Sequence, residues 1–209
     1  MKPVALLLSS LLISAVAGAP AWAAEAAASA KPDLAKGEAI STNVCIACHS
    51  ADGTRGSPAN PILQGQHPEY LVKQLTEFKA GKRSNPIMRG IASTLSAEDM
   101  KNVAAFYATK HAKAGFAKHK DTVELGEKIF RGGVAERRIP ACAGCHSPNG
   151  AGIPSQYPRL AGQHADYAAA QLVAFRSGAR DNSAPMVGIA GRMNDREIKA
   201  VADYIAGLR

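Results

Sequence analysis

The sequence predicts an all-α protein built as two homologous domains in tandem. Two observations carry that prediction. Residues 45–49 recur as residues 142–146 within a long ordered series of matches at an offset of 97, and apolar residues fall at helical spacing with no run sustaining a period of two. Of 209 residues, 46% are hydrophobic and 20% charged, enough for packed cores and against wholesale disorder. Only 5% are aromatic, a shortage compatible with a large apolar group filling the interior.

The first segment reads as an export signal. Lys2 supplies a positive start, Val4 to Val16 is apolar except for three serines, and Ala21-Trp22-Ala23 fits the small-x-small cleavage rule. Residues 1–23 are therefore expected to be a cleaved signal peptide, and 24–32 a disordered Ala-rich leader. The alternative, an uncleaved anchor, meets a run too short for the roughly 20 apolar residues of a span. Export also constrains the four cysteines. They are too few for a disulfide scaffold, and free thiols are unusual in an oxidising compartment, so they should be paired, metal-bound or covalently consumed.

The repeat sets the domains at 33–109 and 121–209, joined by a basic connector at 110–120. Pro61-Ile-Leu-Gln-Gly-Gln-His67 maps to Pro158-Arg-Leu-Ala-Gly-Gln-His164. Tyr70, Gln74, Phe78 and Arg83 map to Tyr167, Gln171, Phe175 and Arg180. Met88-Arg-Gly-Ile-Ala maps to Met186-Val-Gly-Ile-Ala after a one-residue insertion. Helices are expected at 33–43 and 121–131, where each domain opens, and at 68–80 and 165–177 in mid-domain. Final helices at about 97–109 and 195–207 follow Ser96 and Asn194, each with an acidic residue three positions on, the signature of a capping box. Gly and Pro concentrate in 50–67 and 147–164, which read as loops.

Cys45-Ile-Ala-Cys48-His49 and Cys142-Ala-Gly-Cys145-His146 match the attachment motif for c-type haem. Two thiols three apart on one helical turn can add to the two vinyl groups on one porphyrin edge, and the adjacent histidine then faces the iron. A thioredoxin-like redox pair does not require the histidine in both copies, and zinc would need ligands converging from both halves. Two covalent haem c groups are expected, held by Cys45, Cys48, Cys142 and Cys145, with His49 and His146 on the irons. Met88 and Met186 repeat, lie in what read as loops before the last helix, and are the expected opposite ligands. Met100 and Met193 are replaced by Ile198 and Leu95 in the other copy, which points to core packing. The rival ligand pair is His67 and His164, each 18 residues after its motif histidine.

Other residues serve the surroundings. The carbonyls of Pro61 and Pro158 are candidate acceptors for the motif histidines, because a metal-bound imidazole usually donates its other N–H; an ordinary turn proline is the alternative. Gly37 and Gly126 lie inside helices, where glycine costs about 1 kcal/mol against alanine, and a close helix crossing onto Phe106, Tyr107 or Tyr204 would explain it. Arg83 and Arg180 either pair with haem propionates or are solvated.

On these motifs the chain resembles the class I cytochromes c, and more closely the two-domain cytochrome c4 family: both Cys-x-x-Cys-His motifs, the paired Pro-x-Leu-x-Gly-Gln loops and the paired Met-x-Gly-Ile-Ala segments carry the likeness. It implies two tandem class I cytochrome c domains, each wrapped around one covalent haem c, in a periplasmic carrier working between a quinol-oxidising complex and a terminal oxidase. Some members associate peripherally with membranes. The resemblance also implies that the Pro61 carbonyl holds the axial histidine. One departure is a second-domain insert around 132–140, which lengthens the path from Gly126 to Cys142 by eight residues relative to Gly37 to Cys45; it reads as a longer loop or a partner contact.

Methionine–histidine ligation saturates an iron, so no small-molecule substrate site is expected and the protein reads as a carrier rather than an enzyme. The formal net charge of +8 is local: the connector carries four lysines, while the domains hold 8 basic against 7 acidic and 11 against 9. The connector reads either as a solvated charge run or as a stretch that steers docking on an acidic partner or anionic lipid; no block of five or six like charges exists, which disfavours nucleic acid. Two other functions compete: the dihaem cytochrome subunit of an exported dehydrogenase, such as a flavin sulfide dehydrogenase, and a dihaem enzyme of peroxidase or thiosulfate-oxidising type, which needs an exchangeable haem position.

Overall fold

The chain enters its first domain through α1, Leu34–Ile40, which starts because the Asp33 side chain accepts the Lys36 backbone N–H. The structure, a computed structural model, describes residues 31–209; the expected signal peptide and residues 24–30 of the leader lie outside the described residues. The sequence ends the first helix near residue 43, but the helical path continues. A π-helical stretch, Ser41–Cys45, leads into α2, Ile46–His49, so one winding run delivers the cysteine motif. Ser41 is fully buried at the bulge. Its hydroxyl donates to the Ala51 carbonyl and accepts from Tyr107 Oη at 2.7 Å, which gives the altered winding a side-chain cause.

After the loop come α3 (Pro68–Lys79), α4 (Pro86–Ser93) and α5 (Ala97–Ala108). The capping box predicted at Ser96 is present, with Asp99 as the return partner. The second domain repeats the plan with α6 (Lys120–Gly132), α7 (Ala143–His146), α8 (Ala165–Ser177), α9 (Ala184–Ala190) and α10 (Asp195–Gly207), the last opened by the Asn194–Glu197 capping box. No strand occurs among the described residues; two isolated bridges, Val134–Ile139 and Ile153–Tyr157, close loops. No helix among the described residues is long and apolar enough to cross a membrane.

In each domain the opening helix crosses the last one, and that crossing fixes where the cysteine motif emerges. The crossing is close because of glycine. A Cβ on Gly37 would strike the Asn102 carbonyl and come within 2.9 Å of Phe106 Cβ; on Gly126 it would strike the Ala200 carbonyl and come within 2.7 Å of Tyr204 Cβ. The aromatics at the crossing are thus Phe106 and Tyr204, while Tyr107 turns to Ser41. Apolar burial completes each half: Leu71, Val103 and Phe106 with Phe78, Leu95 and Met100 in the first, Ile129, Phe130, Ile198 and Val201 in the second. Each such side chain contributes about 1.5–3 kcal/mol. Met100 and Met193 are both buried in these clusters.

The second-domain insert is pinned from inside. Val134 and Ile139 exchange backbone hydrogen bonds of 2.8 and 3.0 Å, Ile139 is buried in the core, and Arg137 pairs with the buried Glu197 and donates to the Arg192 carbonyl. The connector is also tied: Lys118 and His119 donate their backbone N–H groups to the buried Asp203 carboxylate. The described chain from Pro32 to Arg209 is one compact unit.

Gly37→Ala and Gly126→Ala should each destabilise by about 1–3 kcal/mol, although alanine is the better helix former by about 1 kcal/mol. Thermal melting of the haem-loaded variants measures this; a Tm at or above the parent's would show that the crossings have room.

Candidate functional site

Each cysteine motif sits on a single helical turn that ends in a buried histidine. Among the described residues no cysteine forms a disulfide, and Cys45, Cys142 and Cys145 are half-buried. Burial pushes the Cys142 thiol up to about 11 and raises Cys45 as well. A dithiol redox pair needs the opposite shift, so the geometry disfavours that reading of the motif.

The two motif histidines are buried and alike in setting. His49 Nδ1 lies 3.1 Å from the Pro61 carbonyl, and His146 Nδ1 lies 3.0 Å from the Pro158 carbonyl. A carbonyl oxygen only accepts, so Nδ1 carries the proton and Nε2 keeps its lone pair. Burial lowers both imidazoles' affinity for a second proton, and the neutral ring is the form that binds a metal. The proline loops are braced identically: Leu63 and Gln64 both donate to the Gly53 carbonyl, as Leu160 and Ala161 do to Gly150.

Met88 and Met186 are not in loops, as their Gly- and Pro-rich surroundings suggested. Each lies in the first turns of a short helix, α4 or α9, with proline at its start. Asn85 caps α4 by accepting the Met88 N–H at 2.9 Å. Both methionines are half-buried, and Met88 packs beside Phe78, Leu95 and Met100.

The alternative ligand histidines precede α3 and α8 and sit between the domains. His67 Nε2 donates to the Ala151 carbonyl of the second domain at 2.9 Å. His164 Nε2 is buried without a protein partner, and burial with the nearby Arg55 charge lowers this imidazole's affinity for a second proton.

Arg83 and Arg180 are not solvated, which removes one of the two readings the sequence left open. Both are buried and knit the two domains together. Arg83 donates to Gln74 of its own domain and to Tyr167 Oη and Gln171 of the other, at 2.7–2.9 Å. Arg180 mirrors it, donating to Gln171, Asn182, Tyr70 Oη and Gln74. Each guanidinium also covers the ring of its own domain's phenylalanine, Phe78 at 4.5 Å and Phe175 at 4.3 Å. Glu77 supplies the buried negative charge, bound by Lys73 and Asn182; burial pushes its carboxyl up, but those bonds and the Lys73 and Lys82 charges outweigh it and leave it below the usual range. Buried cationic atoms without protein partners are found instead at Arg55 Nε and Arg159 Nε.

A family model for cytochrome c matches residues 34–110 and again 123–209. Cytochrome c4 of Pseudomonas aeruginosa is 43% identical over 185 residues, covering 87% of this chain and 91% of that protein. The chain belongs to the cytochrome c4 family. The crystal structure of reduced recombinant cytochrome c4 from Pseudomonas stutzeri superposes with a TM-score of 0.81 at 38% identity, covering 86% of this chain and all of that one. A thiosulfate dehydrogenase electron acceptor of Stutzerimonas stutzeri is 41% identical, covering 78% of each chain.

As a member of this family, the protein carries two covalently bound haem c groups and works as an electron carrier rather than an enzyme. Its residues fit that cofactor. Each half offers two thiols on one turn, an imidazole with Nε2 free of hydrogen bonds among the described residues, and a half-buried thioether. The unpartnered Arg55 and Arg159 nitrogens suit a group bearing carboxylates. Helical periodicity placed Tyr70 on the apolar face and gave no role to Gln74, Tyr167 and Gln171; the one signal for their contacts was that these residues repeat at matched positions in the two halves.

Arg180→Leu should cost about 1–3 kcal/mol, since it strands buried acceptors of both domains, and should expose residues 110–119 to proteolysis. Unchanged melting and unchanged cleavage would show the seam to be dispensable.

Proposed function

We propose that the protein is a periplasmic dihaem electron shuttle, taking electrons from a quinol-oxidising complex and delivering them to a terminal oxidase. In this reading Cys45 and Cys48 attach the first haem, and Cys142 and Cys145 the second. His49 with Met88 would hold one iron, and His146 with Met186 the other. The observation that carries the reading is the duplicated imidazole setting, in which both rings are neutral, buried, and fixed by one proline carbonyl each.

The bound haem supplies one-electron chemistry, and thioether ligation raises its potential relative to bis-histidine iron. The chain's own work is placement. The Pro61 and Pro158 carbonyls fix the tautomer and rotation of the imidazoles, and the short helices α4 and α9 bring the methionine side chains in from another element. Buried, well-braced groups reorganise little when the charge of the site changes, which suits transfer without chemistry on a substrate. The four lysines of the connector form the basic stretch available to steer an acidic partner or anionic lipid.

A second reading is favoured by the relatives that act as thiosulfate dehydrogenase electron acceptors: this chain would serve an exported dehydrogenase as its dihaem acceptor subunit. A shuttle purifies alone from the exported fraction, whereas a subunit copurifies with its catalytic partner.

The decisive test is the visible spectrum with and without carbon monoxide. The parent should show two covalent haems, a methionine–ferric charge-transfer band and no carbon monoxide response, while Met88→Ala and Met186→Ala should each open one iron to the gas. Failure of both variants to bind it would remove these methionines as ligands. Cys45→Ser combined with Cys48→Ser should leave one covalent haem per chain, read from the pyridine haemochrome; two would refute the attachment site.

A further inference from the structure

The structure contains a pair of crossed glutamine clamps. Gln163 of the second domain reaches into the proline loop of the first. Its Oε1 accepts the Ile62 N–H at 2.9 Å and its Nε2 donates to the Ile62 carbonyl at 3.1 Å. Gln66 of the first domain does the same to Arg159 of the second, accepting the Arg159 N–H at 2.9 Å and donating to the Arg159 carbonyl at 3.0 Å. Each Oε1 also accepts the next residue's backbone N–H, that of His164 or His67, at 3.0 Å, which fixes the amide's orientation.

The clamped residues hold a special place in the chain. Ile62 N–H and the Pro61 carbonyl belong to one peptide unit, as do Arg159 N–H and the Pro158 carbonyl. The oxygen of each unit faces the motif histidine of its own domain at 3.0–3.1 Å. A continuous hydrogen-bond chain therefore runs from Gln163 Oε1 through the Pro61–Ile62 peptide to His49 Nδ1, and another from Gln66 Oε1 through the Pro158–Arg159 peptide to His146 Nδ1. An amide whose N–H is already donated has a more negative carbonyl, because hydrogen bonds in series polarise one another, by about 10–30% per bond. A stronger acceptor at Nδ1–H gives the imidazole more electron-donating character, which favours ferric over ferrous iron.

We infer that Gln66 and Gln163 are positioning residues acting in trans: each lowers the reduction potential of the haem bound in the other domain, through the proline carbonyl that holds its histidine. The inference rests on His49 and His146 being the axial ligands proposed above. It also makes the domain seam part of each site's electronic surroundings, so that loosening the seam raises both potentials.

The test is potentiometric titration of the full haem-loaded protein, each transition assigned to its domain by hyperfine-shifted proton resonances. Gln163→Leu should shift the ferric-to-ferrous equilibrium of the first-domain haem about two- to fivefold toward ferrous (a tenfold change is 59 mV for one electron) and leave the second-domain haem in place. Gln66→Leu should do the reverse. Gln163→Glu, assayed at pH 8, retains an acceptor for Ile62 N–H and should return the first-domain potential to the parent value or below. A retained methionine–ferric charge-transfer band certifies each variant's fold. A shift in the substituted domain's own haem, an equal shift in both, or no shift would overturn the inference. If the parent lacks ligand-histidine resonances from either motif, the ligand reading itself fails, and that outcome is visible before any variant is made.

Discussion

Two buried imidazoles must each keep one nitrogen protonated and the other bare, and a single backbone carbonyl enforces this in each half. A histidine placed by its own helical turn alone could rotate or change tautomer. The carbonyls of Pro61 and Pro158 remove both freedoms, and most of the structure can be traced to holding those carbonyls still. The glycine-permitted crossings of α1 with α5 and of α6 with α10 set the motif turn against the last helix. The paired donations to Gly53 and Gly150 brace the proline loops from within, and a glutamine from the opposite domain braces them from without.

The seam between domains is correspondingly polar. Buried guanidinium groups are costly unless their donors are met, and here amides, phenol hydroxyls and aromatic faces from both halves meet them. Glu77 has no acidic counterpart, since Ala174 stands at the matching position, so one carboxylate serves a region containing Arg83, Arg180 and Lys73. The symmetry is therefore one of hydrogen-bond geometry and not of charge. The unpartnered nitrogens of Arg55, Arg159 and His164 stand apart from this closed network, where an acidic group of the cofactor would find donors.

Much of this was legible in the residues. The duplication fixed the helical plan, because two copies of one apolar pattern reinforce each other, and the capping residues Ser96 and Asn194 located the last helices. The motif spacing named the cofactor. The short helices α4 and α9 were hidden because their prolines and glycines read as loop punctuation, although Asn85-Pro86 is also a helix-start signal. The π-helical stretch at Ser41–Cys45 depends on a tertiary bond to Tyr107 that no local pattern announces. The burial of Arg83 and Arg180 was hidden for a similar reason: several of their partners lie in the other domain, and periodicity describes only the element a residue belongs to. Gln66 and Gln163 were visible as repeats, yet their role needed the two loops seen face to face.

The crossed clamps have the form of an isologous dimer contact, in which one patch meets its own duplicate around a two-fold axis. Gln66 binds Arg159 as Gln163 binds Ile62, and Arg83 reaches Tyr167 as Arg180 reaches Tyr70. Such a contact is what two identical single-domain chains would form before a connector joined them. Within one chain the two halves are free to differ, and the matched positions 62 and 159 hold an isoleucine and an arginine without disturbing a bond made only to the main chain. The union is also hard to undo, since neither half retains by itself the amide that completes its own loop.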